Sequence, residues 1–170
     1  EIAVFRAFAD TVAAGQDGFV ILDTAPTGHT LLLLDAAEAY HREVLRTASG
    51  MPEPVQQLLP RLRDPLFTRV LLVTLPEATP VHEAERLQID LRRAEIEPFG
   101  WVVNQTVSAV STTDPVLLER GKREIAYIEE VQGRLASRVA VLPWSPEEPV
   151  GPEALQSLLF TTADSAVTLC

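Results

Sequence analysis

Residues 19–30 read FVILDTAPTGHT, an apolar run that ends in an acid and continues into a loop with proline and glycine. A continuous apolar run of this length is typical of a strand that is buried on both faces in a parallel sheet. Asp23 would then stand at the carboxyl end of that strand. The stretch therefore predicts a core strand of an α/β fold, with a candidate functional loop directly behind it.

Three later segments share this apolar, β-branched character and are predicted to be strands of the same sheet. They are residues 69–74, 99–104 and 138–142. Strands that alternate with helical segments are typical of a layered α/β domain with right-handed crossovers. We therefore predict one α/β domain over residues 1–170, with a mostly parallel sheet flanked by helices.

Two of the intervening helices have recognisable beginnings. Thr79 followed by Pro80, and Asp114 followed by Pro115, each combine a capping residue with a proline suited to the first helical turn. In the second helix an apolar stripe at helical spacing predicts the side that packs on the sheet. Its members are Ile125, Ile128, Val131 and Leu135.

Composition restricts the class of partner. The chain carries 14 Lys and Arg against 24 Asp and Glu, a net charge of -10, which disfavours nucleic acid and anionic membrane surfaces. Its apolar runs are far shorter than the roughly 20 residues that a membrane-spanning helix needs. Cys170 is the single cysteine, which excludes a disulfide within one copy and favours a reducing cytoplasm. We expect no nucleic-acid partner.

Candidate site residues follow the strands directly, because ligands of such sheets bind beyond the carboxyl ends of the strands. An acid in the position of Asp23 suits hydrated Mg²⁺, which takes one or two carboxylates and keeps several waters. A helix-capping role for Asp23 is the simpler alternative. The other candidates at strand ends are Glu77, Asn104, Gln105 and Pro143.

The octapeptide DTAPTGHT at residues 23–30 resembles the signature of the arsenite-transporting ATPases and of their relatives that target tail-anchored membrane proteins. The likeness continues through residues 31–36, 39–43, 70–77, 99–105 and 136–140. It implies part of a P-loop NTPase fold of the deviant-Walker (SIMIBI) type. It also implies an ATPase that drives the extrusion of arsenite or antimonite through a membrane pump.

The resemblance implies roles for the two candidates near the start of the chain. Asp23 matches the acid at the magnesium and nucleophilic-water end of the ATP site. His29 matches a residue of the switch that couples nucleotide state to cargo, and a metalloid ligand role is implied for it as well. Hydrogen bonding within its own loop is the alternative for His29.

Roles for the later candidates follow from the same resemblance. Asn104, with Gln105, is placed against the adenine edge, where an amide both donates and accepts. The alternative is that both side chains satisfy backbone groups in a turn. Pro143 matches the loop that flanks the base. Glu77 matches a segment near the nucleotide and the partner half, although an exposed acid near a helix N-terminus is also favourable there.

An ATPase of this kind needs a glycine-rich phosphate loop with a lysine, and the sequence has no such loop. Its only lysine is Lys122. The resemblance is to the C-terminal part of an ATPase domain, closest to the second half of the tandem arsenite enzymes. We expect ATP and Mg²⁺ to bind in the intact parent protein, with As(III) or Sb(III) as cargo, and the fragment alone to be inactive. The resemblance implies a cytoplasmic protein that associates peripherally with the membrane by binding the pump subunit.

Two other functions stay open, a non-catalytic interaction or regulatory module and a tail-anchored protein targeting factor. The second is disfavoured by the single methionine, Met51, since those relatives cover their cargo with a methionine-rich insert. The expected partner is a missing N-terminal ATPase portion or a second ATPase half. Because a sheet without its phosphate-loop strand has an open edge, we also expect a homo-oligomer or a strand-exchanged assembly.

Overall fold

The computed structural model describes residues 2–14, 18–23 and 53–161. Within it the chain divides into two compact units. The first unit comprises Glu1–Arg69 and Ile89–Glu97, and the second comprises Val70–Gln88 and Pro98–Cys170. Every helix in the described part of the chain is too short or too polar to span a lipid bilayer.

The first unit is built on two helices, α1 (Ile2–Ala14) and α2 (Glu53–Arg63). Their apolar sides form a small core of buried residues with two partly buried neighbours. The buried members are Ala9, Val12, Leu58 and Leu59, and the neighbours are Phe8 and Leu62. Spacings of three and four residues bring these side chains onto one face of each helix, so burial of that face stabilises the pair.

Residues 19–23 do not form the predicted buried strand, and that prediction is wrong. The segment is irregular, and Phe19 and Ile21 are 86% and 83% exposed. An apolar run specifies side chains that gain from burial, but a parallel strand also needs a hydrogen-bonded neighbour. In the described part of the chain, the paired strands all lie between residues 71 and 143, and none of them pairs with residues 19–23.

The second unit contains a parallel sheet of three strands in the order β1-β2-β3. The strands are β1 (Leu71–Thr74), β2 (Gly100–Thr106) and β3 (Val139–Pro143). Helix α3 (Ala78–Arg93) connects β1 to β2, and helix α4 (Pro115–Glu130) connects β2 to β3. A π-helical turn, Val131–Leu135, extends α4, and α5 (Gly151–Thr161) follows β3. The predicted parallel sheet with flanking helices is confirmed over residues 71–143.

The faces of β1 are buried unequally. Leu72 and Thr74 are buried, whereas Leu71 and Val73 are exposed. Alternate residues of a strand point to opposite faces, so only one face of β1 is covered in the described structure. The expectation of burial on both faces is therefore wrong for this strand. A run of consecutive apolar residues does not reveal which of its two faces a neighbour covers.

Helix α4 begins as predicted. Asp114 precedes Pro115 and accepts hydrogen bonds from the backbone N–H groups of Val116 and Leu117, at 2.7 and 3.2 Å. Helix α3 begins at Ala78, ahead of the predicted cap at Thr79. The backbone N–H of Val81 donates to the carbonyl of Glu77 at 3.1 Å and closes the first helical turn. The helix therefore begins two residues before Pro80, the predicted first helical residue.

Trp101 of β2 fastens α3 to the sheet. Its side chain is 2% exposed, and its indole N–H donates to Oε1 of Gln88 at 2.6 Å. The amide nitrogen of Gln88 in turn donates to the carbonyl of Leu135 at 2.9 Å. A buried amide is costly unless its donors and acceptors are paired, so this chain of bonds fixes α3, β2 and the π-helical turn together.

An ion pair between α3 and the π-helical turn is predicted to depend on pH. Nη1 and Nη2 of Arg134 donate to the two carboxylate oxygens of Glu85, at 2.5 and 3.2 Å. These hydrogen bonds lower the pKa of Glu85 below its ordinary value of 4.5. A lowered carboxyl pKa stabilises the fold above pH 4.5, and the stabilisation is lost as the pH falls through the lowered value. Glu85→Gln should therefore lower the melting temperature by about 2 °C at pH 7.

That difference should shrink toward zero as thermal melts are repeated at pH values progressively below 4.5. Glu129→Gln, at an exposed acid of the neighbouring helix α4, serves as the control and should show no such trend. A Glu85→Gln difference that stays constant from pH 7 into the acid range would contradict the assigned role of the Arg134 pair.

Candidate functional site

The carboxyl edge of the sheet brings four of the predicted residues to one side of the second unit. Asn104 and Gln105 lie near the carboxyl end of β2, Pro143 ends β3, and Glu77 follows β1. The ladder between β2 and β3 is regular up to Val103 and shifts register before Thr106. This irregularity falls where the candidates stand, because the chain bends out of the strand there.

Two hydrogen bonds hold the ends of β2 and β3 together beyond the shift. The backbone N–H of Trp144 donates to the carbonyl of Thr106 at 2.9 Å. The hydroxyl of Thr106 donates to the carbonyl of Leu142 at 3.2 Å, and Thr106 is fully buried. Pro143 is the register partner of Thr106. The loop after β3 is thus anchored to the end of β2.

The side-chain oxygen of Asn104 is used within its own turn. Its side-chain oxygen accepts a hydrogen bond from the backbone N–H of Gln105 at 2.9 Å. Gln105 has a φ of 56°, in the left-handed region that side-chain-bearing residues seldom adopt. The alternative turn role is therefore realised by the oxygen of Asn104. Its amide nitrogen donates to none of the described residues.

Glu77 caps no helix with its side chain but takes part in an ion pair. Nη2 of Arg120, on α4, donates to its Oε1 at 3.2 Å. The backbone N–H of Glu77 donates to the carbonyl of Leu75 at 2.8 Å, which tightens the turn between β1 and α3. An exposed pair of this kind adds little stability by itself, but it defines where the Glu77 carboxylate lies.

Glu124 is a site residue that the sequence reasoning missed. The predicted apolar stripe placed Ile125 on the sheet side, but Ile125 is exposed and Glu124 is 2% exposed in its place. A single oxygen of Glu124, Oε2, accepts from the backbone N–H groups of Val107 and Ser108, at 2.7 and 3.0 Å. The only sequence signal was an acid that interrupts an otherwise apolar helical stripe, and such an acid is more often exposed.

Gly121 permits this arrangement one turn earlier on α4. A Cβ placed on Gly121 would lie 3.1 Å from the Cα of Ser108, so a side chain there would push the helix away from the turn after β2. The absence of a side chain at Gly121 lets the backbone of α4 approach that turn closely. Glu124 can then reach Val107 and Ser108.

A groove opens beside these residues in the second unit. It has a volume of about 560 Å³ and lies between the segment after β1 and helix α4. Its walls include Pro76, Glu77, Ala78, Arg120, Glu124 and Tyr127. Charged groups of both signs meet an aromatic ring there, which is a composition suited to a polar ligand or to a polar segment of another protein.

Asp23 and His29 are the two candidates nearest the start of the chain. Asp23 is exposed and ends the described segment 18–23, and it belongs to the first unit. His29 lies outside the described residues. Within the described ranges no group of three or more His, Cys, Asp and Glu side chains is arranged to hold a metal ion. The predicted roles of Asp23 and His29 stay predictions.

Comparison with known proteins gives consistent matches. A family model described as anion-transporting ATPase matches residues 1–50 and 36–161. An arsenical pump-driving ATPase of Escherichia coli is 50% identical over 160 residues, and one of Acidiphilium multivorum is 47% identical over 159 residues. These matches cover 93% and 94% of this chain but 27% of each relative.

A more distant match has a different name. The ATPase get3 of Schizosaccharomyces pombe is 25% identical over 188 residues, covering 92% of this chain and 57% of the relative. The chain thus spans about a quarter of the length of the arsenical pump-driving relatives and somewhat more than half of this one.

Proposed function

This chain belongs to the anion-transporting ATPase family, whose fold is that of the P-loop NTPases, and on that premise we propose that it is part of an ATPase coupling ATP hydrolysis to arsenite or antimonite extrusion. The observation that carries the proposal is the identity of 47–50% to arsenical pump-driving ATPases over almost the whole chain. The partner in this function is a membrane pump subunit, which would hold the protein at the cytoplasmic face of the membrane.

The residues at the carboxyl edge fit the base end of a nucleotide. The amide nitrogen of Asn104, which donates to none of the described residues, is a donor that the N1 acceptor of adenine can use. Gln105 has a left-handed backbone conformation beside it, and Pro143 would offer an apolar wall at the adjoining strand end. Glu77 faces the same edge and supplies the carboxylate toward a second ATPase half.

The phosphate end of the site needs groups from elsewhere. Since the sequence holds no lysine-bearing phosphate loop, that loop is supplied from outside these 170 residues. Asp23 is the carboxylate assigned to Mg²⁺. A bound Mg²⁺ would neutralise phosphate charge and orient water for attack. His29 is assigned to the switch and to the metalloid, As(III) or Sb(III), which is the cargo.

The decisive experiment uses the full-length protein that the gene encodes. Purified protein should hydrolyse ATP only when Mg²⁺ is present, and sodium arsenite or potassium antimonyl tartrate should raise the rate. Sodium chloride at equal ionic strength is the control for salt effects. ATP hydrolysis that neither metalloid alters would overturn the transport assignment. Absence of any magnesium-dependent hydrolysis would overturn the ATPase assignment itself and favour a non-catalytic binding module.

Asn104→Ala should weaken the binding of ATP to the full-length protein about tenfold, because one hydrogen bond to the base is lost. The loss should be smaller for tripolyphosphate, which has no base to recognise. Isothermal titration calorimetry measures both affinities. Gln132→Ala, at an exposed amide of the π-helical turn, is the matched control and should bind both ligands as the wild type does. Equal losses for the two ligands would contradict a base-contacting role.

A further inference from the structure

We propose that Glu124 is a positioning residue for the adenine base, acting through the turn after β2 and through Arg120. This inference rests on the proposed function, since it concerns how the nucleotide site is held in shape. Glu124 does not contact the base in this proposal. It fixes the backbone that presents Asn104 and Gln105, and it connects that backbone to the segment carrying Glu77.

The first step is the turn itself. The N–H groups of Val107 and Ser108 point at one carboxylate oxygen of Glu124, at 2.7 and 3.0 Å. Two consecutive backbone donors on a single acceptor determine the direction in which the chain leaves β2. Residues 104 and 105 lie immediately before this point, and Gln105 is held at a φ of 56°. The bonds to Glu124 therefore help to keep an unfavourable backbone conformation in place.

The second step is the connection to the neighbouring strand end. The other oxygen of Glu124, Oε1, accepts from Nε of Arg120 at 3.1 Å. Nη2 of the same guanidinium donates to Oε1 of Glu77 at 3.2 Å. Arg120 thus joins the segment after β1 to the turn after β2 through two charge-assisted contacts.

The third step explains why position 124 carries a charge. A glutamine could accept the two backbone N–H groups with its carbonyl oxygen, but its remaining nitrogen would face Nε of Arg120, donor against donor. Only a carboxylate accepts from the turn and from Arg120 at once. Burying a carboxylate is costly, and three hydrogen bonds from partners on two elements offset that cost. The charge therefore serves the connection to Glu77 as well as the turn.

The proposal predicts a change in base selectivity for Glu124→Gln in the full-length protein. We expect ATP to bind about tenfold more weakly, because the bond from Arg120 is lost, the two bonds to the turn lose their charge assistance, and Asn104 is held less firmly. Inosine triphosphate, whose base carries a hydrogen on N1 and cannot accept the Asn104 bond there, should lose much less affinity. Calorimetry gives both dissociation constants. Hydrogen exchange at the amides of Val107 and Ser108, measured without nucleotide, should become faster in the variant.

Arg120→Gln is the second variant, and its side chain is partly exposed, so folding should tolerate the change. It should also reduce ATP affinity more than inosine triphosphate affinity. Glu119→Gln, an exposed acid of the same helix outside this network, is the control and should match the wild type in both measurements. Thermal melts verify that each variant is folded.

The outcomes separate the inference from the proposed function. Wild-type protein that binds ATP selectively, with both variants unchanged in selectivity, overturns the role of Glu124 alone. Equal losses for ATP and inosine triphosphate also overturn it, since a merely structural role would weaken both. Wild-type protein that binds neither triphosphate overturns the proposed function, and the inference with it. A Glu124→Gln variant that does not fold leaves Arg120→Gln to decide.

Discussion

Asp23→Asn should lower kcat for ATP hydrolysis by the full-length protein at least about a hundredfold, while the affinity for ATP changes much less. The amide has almost the same shape as the carboxylate but no negative charge. It is therefore a poor ligand for Mg²⁺ and does not orient attacking water. The expected split between rate and affinity follows because the charge matters most at the phosphates, whereas Asn104 and Pro143 are assigned to the base.

A coupled assay for released phosphate measures kcat, and calorimetry measures the affinity for ATP. Asp10→Asn is the matched control, because Asp10 is an exposed acid of the same compact unit on α1. That variant should retain the wild-type rate. Hydrolysis by Asp23→Asn at the wild-type rate would contradict the assignment of Asp23 and leave helix capping or an exposed loop position as its role.

Trp101→Ala should lower the free energy of unfolding of the second unit by about 4 kcal/mol. The indole is almost fully buried, so truncation removes a large apolar surface from the core and leaves a cavity. It also leaves Oε1 of Gln88 without its donor, and the bond from Gln88 to the carbonyl of Leu135 loses its rigid support. Urea denaturation of the 170-residue chain, followed by circular dichroism, measures the loss.

Trp144→Ala provides the comparison within the same chain. Trp144 is 42% exposed, and its backbone N–H, which this substitution keeps, makes the bond to Thr106. We expect a change within about 0.5 kcal/mol there. Trp101→Phe should fall between the two, at about 1–2 kcal/mol, because packing is largely kept and the N–H donor is lost. Similar costs for Trp101→Ala and Trp144→Ala would contradict the described core.

The sequence predicted the regular parts of the second unit well. Apolar, β-branched runs located β1, β2 and β3 within two residues, and Asp114 with Pro115 located the start of α4. These features depend on interactions between near neighbours along the chain. The family resemblance read from residues 23–30 is confirmed by the family match.

The same reasoning failed where burial depends on distant parts of the chain. Residues 19–23 were predicted to form a core strand and are irregular and exposed. Ile125 was assigned to the buried side of α4, whereas Glu124 takes that place. A periodicity argument assigns the buried face of a helix from the hydropathy of its residues. It therefore cannot identify an acid that is buried because two backbone N–H groups and a guanidinium donate hydrogen bonds to it.

What the sequence alone determined is the membership of the chain in an ATPase family, the parallel α/β character of residues 71–143, and the set of residues at the strand ends. Local pattern and motif carry that information, because they reflect backbone propensity and the position of a residue along its own strand. The tertiary structure alone decided that Glu124 and Arg120 connect two of these strand ends. It also decided that, within the described ranges, one face of β1 is buried and the other exposed, and that the oxygen of Asn104 rather than its nitrogen is hydrogen-bonded. Those outcomes are set by contacts between residues that are far apart in sequence, and each of them depends on which partner the fold brings within hydrogen-bonding distance.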